Sequence, residues 1–188
     1  MSSRERWDRR WQEAPILSDP SPFLVEVAGL LPSRGRAIDV AGGSGRNALF
    51  LAQRGWDVTL VDVSPVAVAM ARDEAARRSL RLEVMLADLE EAPLPSGPWD
   101  LIVCFHYLQR DLFPNMTAAL VAGGVLVCEI ATVRNLERND RPPLPYLLHE
   151  GELLDLVPGL AVVRHEERWT EEGRHEARLL ATSPLSGD

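Results

Sequence analysis

Lysine is absent from the 188-residue sequence, and all 20 basic side chains are arginine. That absence removes a P-loop lysine, a Schiff-base lysine, a kinase-type lysine and a Tyr-x-x-x-Lys dehydrogenase pair. Cysteine is scarce. Cys104 and Cys128 each sit inside an apolar, strand-like run and read as reduced core thiols. His149, His165 and His175 lie far apart and match no zinc spacing with either cysteine, so no metal site is expected. No apolar run reaches the ~18 residues of a membrane span, and the basic segment 1–11 lacks the apolar core of a signal peptide. A cytoplasmic protein with no membrane partner is therefore expected. Positive charge is in deficit too: 28 acids against 20 arginines give a net charge of −8, which argues against a nucleic-acid partner.

What remains is an ordinary globular composition, 46% apolar and 26% charged, in a length that suits one domain over 1–188. The informative stretch is 38–62, IDVAGGSGRNALFLAQRGWDVTLVD. Apolar Ile38 and Val40 lead into Ala41, Gly42, Gly43, Ser44 and Gly45, a helical pattern follows, and a second apolar run ends on Asp62. This is a strand, a glycine turn, a helix, a strand and an acid within one βαβ unit. Glycines let a ligand approach the backbone, a helix start offers unpaired N–H groups, and a carboxylate at the second strand tip can accept from two ribose hydroxyls. The unit predicts a nucleoside ligand and leaves two classes open. Counted from Gly43 the turn is GxGxxA, with Asp62 near the ~20-residue offset of a dinucleotide fingerprint, as in an NAD(P)-linked oxidoreductase. Counted from Asp39 it is DVAGGSG.

The second count resembles the DxGxGxG motif of class I S-adenosylmethionine (SAM) methyltransferases, with Ala41 where the first glycine usually stands. The likeness continues through the GRNALFLAQRG helix at 45–55, the VDVSP strand tip at 61–65 and the WDLIVC strand start at 99–104. Ala122-Gly123-Gly124 stands where that family has its PGG turn, and a terminal antiparallel hairpin follows. The chain is most similar to the compact group that includes tellurite-resistance and thiopurine methyltransferases. The resemblance implies a three-layer, doubly wound α/β fold: a mostly parallel, seven-stranded Rossmann-like sheet in the order 3-2-1-4-5-7-6, with an antiparallel last strand. It implies SAM as cofactor, held by Asp39, Ala41, Gly42, Gly43, Ser44, Gly45, Arg46, Asp62 and Val63. Ala87, Asp88 and Leu89 would surround the adenine, with Cys104 and Phe105 at the end of the fourth strand. Segment 1–20 would form a lid over the cofactor mouth.

The remaining chemistry concerns the methyl acceptor. Trp7 and Trp11 are four apart and share one face of a helix, where aromatic rings attract a cation such as a sulfonium. His106, at the tip of strand 99–105, is the candidate general base, with Tyr107 and Arg110 beside it. Loop 132–145, with Arg134, Arg138 and Arg141, reads as substrate-facing, and its arginines could orient an anionic acceptor. Helices are expected at 66–78, 112–121 and 150–157, and a closing hairpin at 160–166 and 176–182. With neither a separate recognition domain nor a basic face, a small-molecule acceptor is expected for a monomer or homodimer. A SAM-binding regulator without transfer activity is the remaining alternative.

Overall fold

The computed structural model describes residues 2–13 and 19–185. Residues 1 and 14–18 of the expected lid segment lie outside the described residues, as do 186–188. Seven strands form one sheet in the order β3-β2-β1-β4-β5-β7-β6. The strands are β1 (Arg36–Val40), β2 (Asp57–Asp62), β3 (Glu83–Leu86), β4 (Trp99–Phe105), β5 (Leu120–Ala131), β6 (Ala161–Trp169) and β7 (His175–Thr182). Pairing from β3 to β5 is parallel, and β7 runs antiparallel to both neighbours. Order and direction match the expectation.

Central strands buried on both faces need apolar residues at every position, and strand alternation sorts those residues into two layers. Ile38, Ile102, Cys104, Leu126, Cys128 and Leu179 pack on Phe113 and Met116 of α5 (Phe113–Ala118) and Leu153 of α6 (Glu152–Asp155). Ala37, Leu60, Leu101, Val103, Val127 and Leu180 pack on the opposite side. There they meet Phe23 and Leu24 of α2 (Pro22–Val27), Leu51 of α3 (Arg46–Gln53) and Val68 of α4 (Pro65–Arg77). Ser64 caps α4 by accepting from the Ala67 N–H at 3.2 Å, and Pro65 occupies the first turn.

Two helices are shorter than their periodicity suggests. The pattern at 112–121 yields only Phe113–Ala118, because Leu120 already pairs with Trp99 at the start of β4. The chain then makes an excursion at Gly123 (φ +73°) before Val125 rejoins Leu101. A side chain on Gly124 would meet the Val121 carbonyl of its own strand at 2.9 Å and the Trp99 carbonyl of β4 at 3.0 Å, so the close approach there requires glycine. The pattern at 150–157 gives a single turn, Glu152–Asp155. Loop 132–145 contains two 3-10 turns, Val133–Glu137 and Leu144–Tyr146.

Candidate active site

The parallel strands end together at one edge of the sheet, where an open α/β fold places its ligand crevice. On the β1–β2 side the chain leaves β1 through Ala41 (φ +53°), then Gly43 (φ +58°) and Gly45 (φ +90°) before α3. Ala41 occupies a left-handed conformation that disfavours a side chain, so the glycine usual at that motif position answers a backbone demand more than a demand for room. Gly42 is fixed by contact, since a Cβ there would lie 2.8 Å from the Asp39 carboxyl carbon. Asp39 is buried and accepts from the Ala48 N–H at 3.0 Å. Burial pushes its pKa up to about 7, against the opposing pull of the Ala48 bond and Arg46. Asp62 is likewise buried, accepting from the Gly43 N–H at 2.8 Å and the Ser64 N–H at 2.9 Å. Burial raises its pKa while those backbone bonds oppose the rise.

Helix α1 (Ser3–Glu13) covers this turn. Asp8 accepts from the Ser64 hydroxyl at 2.5 Å, and the Trp11 indole rests on Gly43 so closely that a Cβ there would come within 2.6 Å of the ring. A cleft of about 270 Å³ lies beneath. Its lining includes Trp7, Arg10 and Trp11, Asp39, residues 41–44, Arg46, Asn47, Asp62 and Val63. Phe105, His106, Tyr107 and Arg174 complete it.

The opposite wall is built from β4, β5 and β7. The His106 N–H donates to the Glu129 carbonyl at 2.7 Å, extending the β4–β5 ladder, and His106 itself stands at φ +57°. Glu129 pairs with Arg178 across the β5–β7 ladder, and Glu176 stands two residues along β7, so alternation puts all three on one face. The same stripe is apolar further down, at Val127 and Leu180. Glu129 accepts from the Ser21 hydroxyl at 3.0 Å and lies 2.9 Å from Arg178 Nε. His106 Nδ1 is 3.4 Å from Glu176 and Nε2 is 3.7 Å from Glu129. Burial lowers the His106 pKa to about 3, helped by surrounding guanidiniums, first that of Arg46. Burial, then Glu129, raises that of Glu176 to about 7.

The structure gathers Asp39, Ala41, Gly42, Gly43, Ser44, Arg46, Asp62, Val63, Trp7, Trp11, Phe105, His106 and Tyr107 at the cleft. It places the other expected residues elsewhere. Gly45 caps α3 and packs on Ala71. Asp88 accepts from the Glu90 N–H at 3.0 Å, the role of a turn cap, and neither it nor Ala87 and Leu89 lines the cleft. Cys104 points into the core beside Cys128. Arg110 is not among the residues lining the cleft, and its guanidinium is held by Glu152 at 2.5 Å and by the carbonyls of Pro145 and Leu147. Arg134 pairs with Glu137 on the surface. A carboxylate partner thus engages each arginine, with two carbonyls besides at Arg110. Sequence reading missed Arg10, Asn47, Arg174, Glu129, Glu176 and Arg178. The available signal was a glutamate inside an otherwise apolar strand, and a charged pair spaced by two in the last strand.

Comparison with known proteins fits this geometry. A methyltransferase-domain family model matches residues 37–124. The chain is 33% identical over 142 residues to Hemagglutinin 1 of Eikenella corrodens, covering 70% of this chain and 46% of that protein. It is 28% identical over 137 residues to the ubiquinone biosynthesis O-methyltransferase of Bordetella avium, covering 72% of this chain and 56% of that one. The chain thus spans about half the length of these curated relatives. Among solved structures, TehB from Haemophilus influenzae superposes with a TM-score of 0.74 at 20% identity, over 95% of this chain and 67% of that chain.

Proposed function

We propose that the chain is a class I SAM-dependent methyltransferase and that it transfers a methyl group from SAM to a small-molecule acceptor in the cleft beneath α1. The observation that carries this reading is the pair of buried carboxylates, Asp39 and Asp62, at adjacent strand tips on either side of a turn with a left-handed backbone. That donor and acceptor set fits an adenosyl amino acid. Asp62 suits ribose hydroxyls, Asp39 the cofactor ammonium, and Arg46 its carboxylate. The indoles of Trp7 and Trp11 and the ring of Phe105 present aromatic surface to a cation. Bound there, SAM would supply a methyl carbon activated by its sulfonium.

The protein's contribution is positioning, which can account for several kcal/mol, on the order of 7–11 in favourable cases. Asp39 and Asp62 hold one end of the cleft rigid through their bonds to α3 and to the turn. Trp7 and Trp11 shield the reacting centre from water, and His106 and Tyr107 face the acceptor. His106, neutral near pH 7, is the side chain placed to accept a hydrogen bond from an acceptor that carries a proton, while its lowered pKa works against its taking that proton outright. In this reading the chain acts as a single cytoplasmic domain, monomer or homodimer. No described helix is long and apolar enough to cross a membrane. The test is production of S-adenosylhomocysteine from SAM in the presence of phenol, thiol, amine and metalloid-oxyanion acceptors, with RNA and protein as comparison. Turnover with a small molecule is expected. Turnover with RNA or protein alone would remove the small-molecule assignment, and binding of SAM without any turnover would leave a regulator.

A further inference from the structure

The β4–β5–β7 wall holds two buried glutamates that methyl transfer does not call for, and both converge on His106. His106, Glu129 and Glu176 each bring one ligand-type atom into a cluster whose members all lie within 4.8 Å of one another. Both glutamates are buried, with side chains 3% exposed, while His106 opens onto the cleft. Glu176 Oε1 makes no hydrogen bond among the described residues, although it is shielded from solvent. Its neighbours are His106 Nδ1 at 3.4 Å and Arg174 Nη1 at 3.7 Å. A buried carboxylate oxygen without a donor is costly unless something else occupies the space it faces.

We propose that His106, Glu129 and Glu176 form a binding site for one first-row divalent cation, of the Mn2+, Fe2+, Co2+ or Zn2+ class, opening onto the cleft. One imidazole and two carboxylates are a ligand set that such ions accept, and they leave coordination positions for water or an acceptor oxygen. The backbone holds the three together: the His106 N–H is bonded to the Glu129 carbonyl, and the β5–β7 register brings Glu176 beside Ala131. Arg178 stays against the far oxygen of Glu129, where its buried guanidinium orients that carboxylate. Arg174, with a side chain 46% exposed, has solvent to turn into when a cation replaces it at Glu176. Cation binding does not depend on the methyl-transfer reading. Only the further step, that the ion fixes an oxygen-bearing acceptor facing the cofactor, rests on it.

The site is tested on the full chain after treatment with EDTA and in the absence of any adenosyl compound. Titration with Co2+, followed by visible absorption and calorimetry, is expected to show one equivalent bound, displaceable by Zn2+, with a raised melting temperature. His106→Gln and Glu176→Gln should each weaken Co2+ binding more than tenfold. Both variants should unfold cooperatively in EDTA, which separates a lost ligand from a lost fold. Absence of binding by Co2+, Mn2+ and Zn2+ would overturn the proposal, and so would binding that both variants retain. Since no SAM is present, either failure is separate from a failure of the methyltransferase reading.

Discussion

The two walls of the cleft handle buried charge in opposite ways. On the β1–β2 side, Asp39 and Asp62 give their oxygens to backbone N–H groups of the adjoining turn and helix, so each carboxylate braces the loop it follows. On the β4–β5–β7 side, Glu129, Glu176, His106 and Arg178 have mostly one another, at contact distances with few well-formed hydrogen bonds. The first wall is a preformed cradle. The second is an unsatisfied cluster whose stability depends on keeping its charges together. Buried charge with local backbone partners shapes a site, whereas buried charge facing only other charge is open to a ligand.

The largest effect should come from unpairing the second wall. Glu129→Ala strands the Arg178 guanidinium without its buried counter-charge and should destabilise the fold by about 3–5 kcal/mol in chemical denaturation. Replacing both, as Glu129→Leu with Arg178→Met, should recover most of that loss. A single replacement costing no more than the double would show that the pair is not coupled.

On the first wall, Asp62→Ala leaves the Gly43 and Ser64 N–H groups without their acceptor, a loss of about 1–3 kcal/mol. Affinity for S-adenosylhomocysteine should drop at least tenfold with it. Unchanged affinity would mean that the cradle does not touch the ligand.

Asp39 contributes a pH dependence of definite sign. An unfolded aspartate loses its proton near pH 3.8, whereas folded Asp39 keeps it to about 7. Between those values the folded state holds the extra proton, so its stability falls as pH rises, by at most about 1.4 kcal/mol per pH unit. Subtracting the Asp39→Asn stability curve from the wild-type curve should isolate this slope. A flat difference between pH 4 and pH 7 would contradict the buried, protonated state.

The smallest effect is expected at Ala41. Relief of its left-handed conformation by Ala41→Gly, partly offset by greater freedom in the unfolded chain, should raise stability by less than about 1 kcal/mol. A lowered melting temperature would show that the methyl group packs usefully.

The same contrast explains how much could be read beforehand. The first wall lies within 38–62, where strand period, glycines and helix period follow one another in sequence and each local preference agrees with the fold. The sheet order came through family resemblance. The second wall is spread over residues 106, 129 and 176, and only the insertion of β7 between β5 and β6 assembles it. Histidine spacing therefore gave no hint of it. The partners of Arg110 and Arg134 were hidden for a related reason: the carboxylates of Glu152, 42 residues away, and Glu137 meet them only in the folded chain. The overlong helices at 112–121 and 150–157 reflect apolar runs that the fold uses at strand and turn boundaries.

The most direct test of the central claim is isothermal titration of the purified chain with S-adenosylhomocysteine and, separately, with NADH. Saturable one-to-one binding of the adenosyl compound and no heat with the dinucleotide are predicted. A folded protein that ignores S-adenosylhomocysteine, or that prefers NADH, would contradict the assignment of the Asp39–Asp62 cradle.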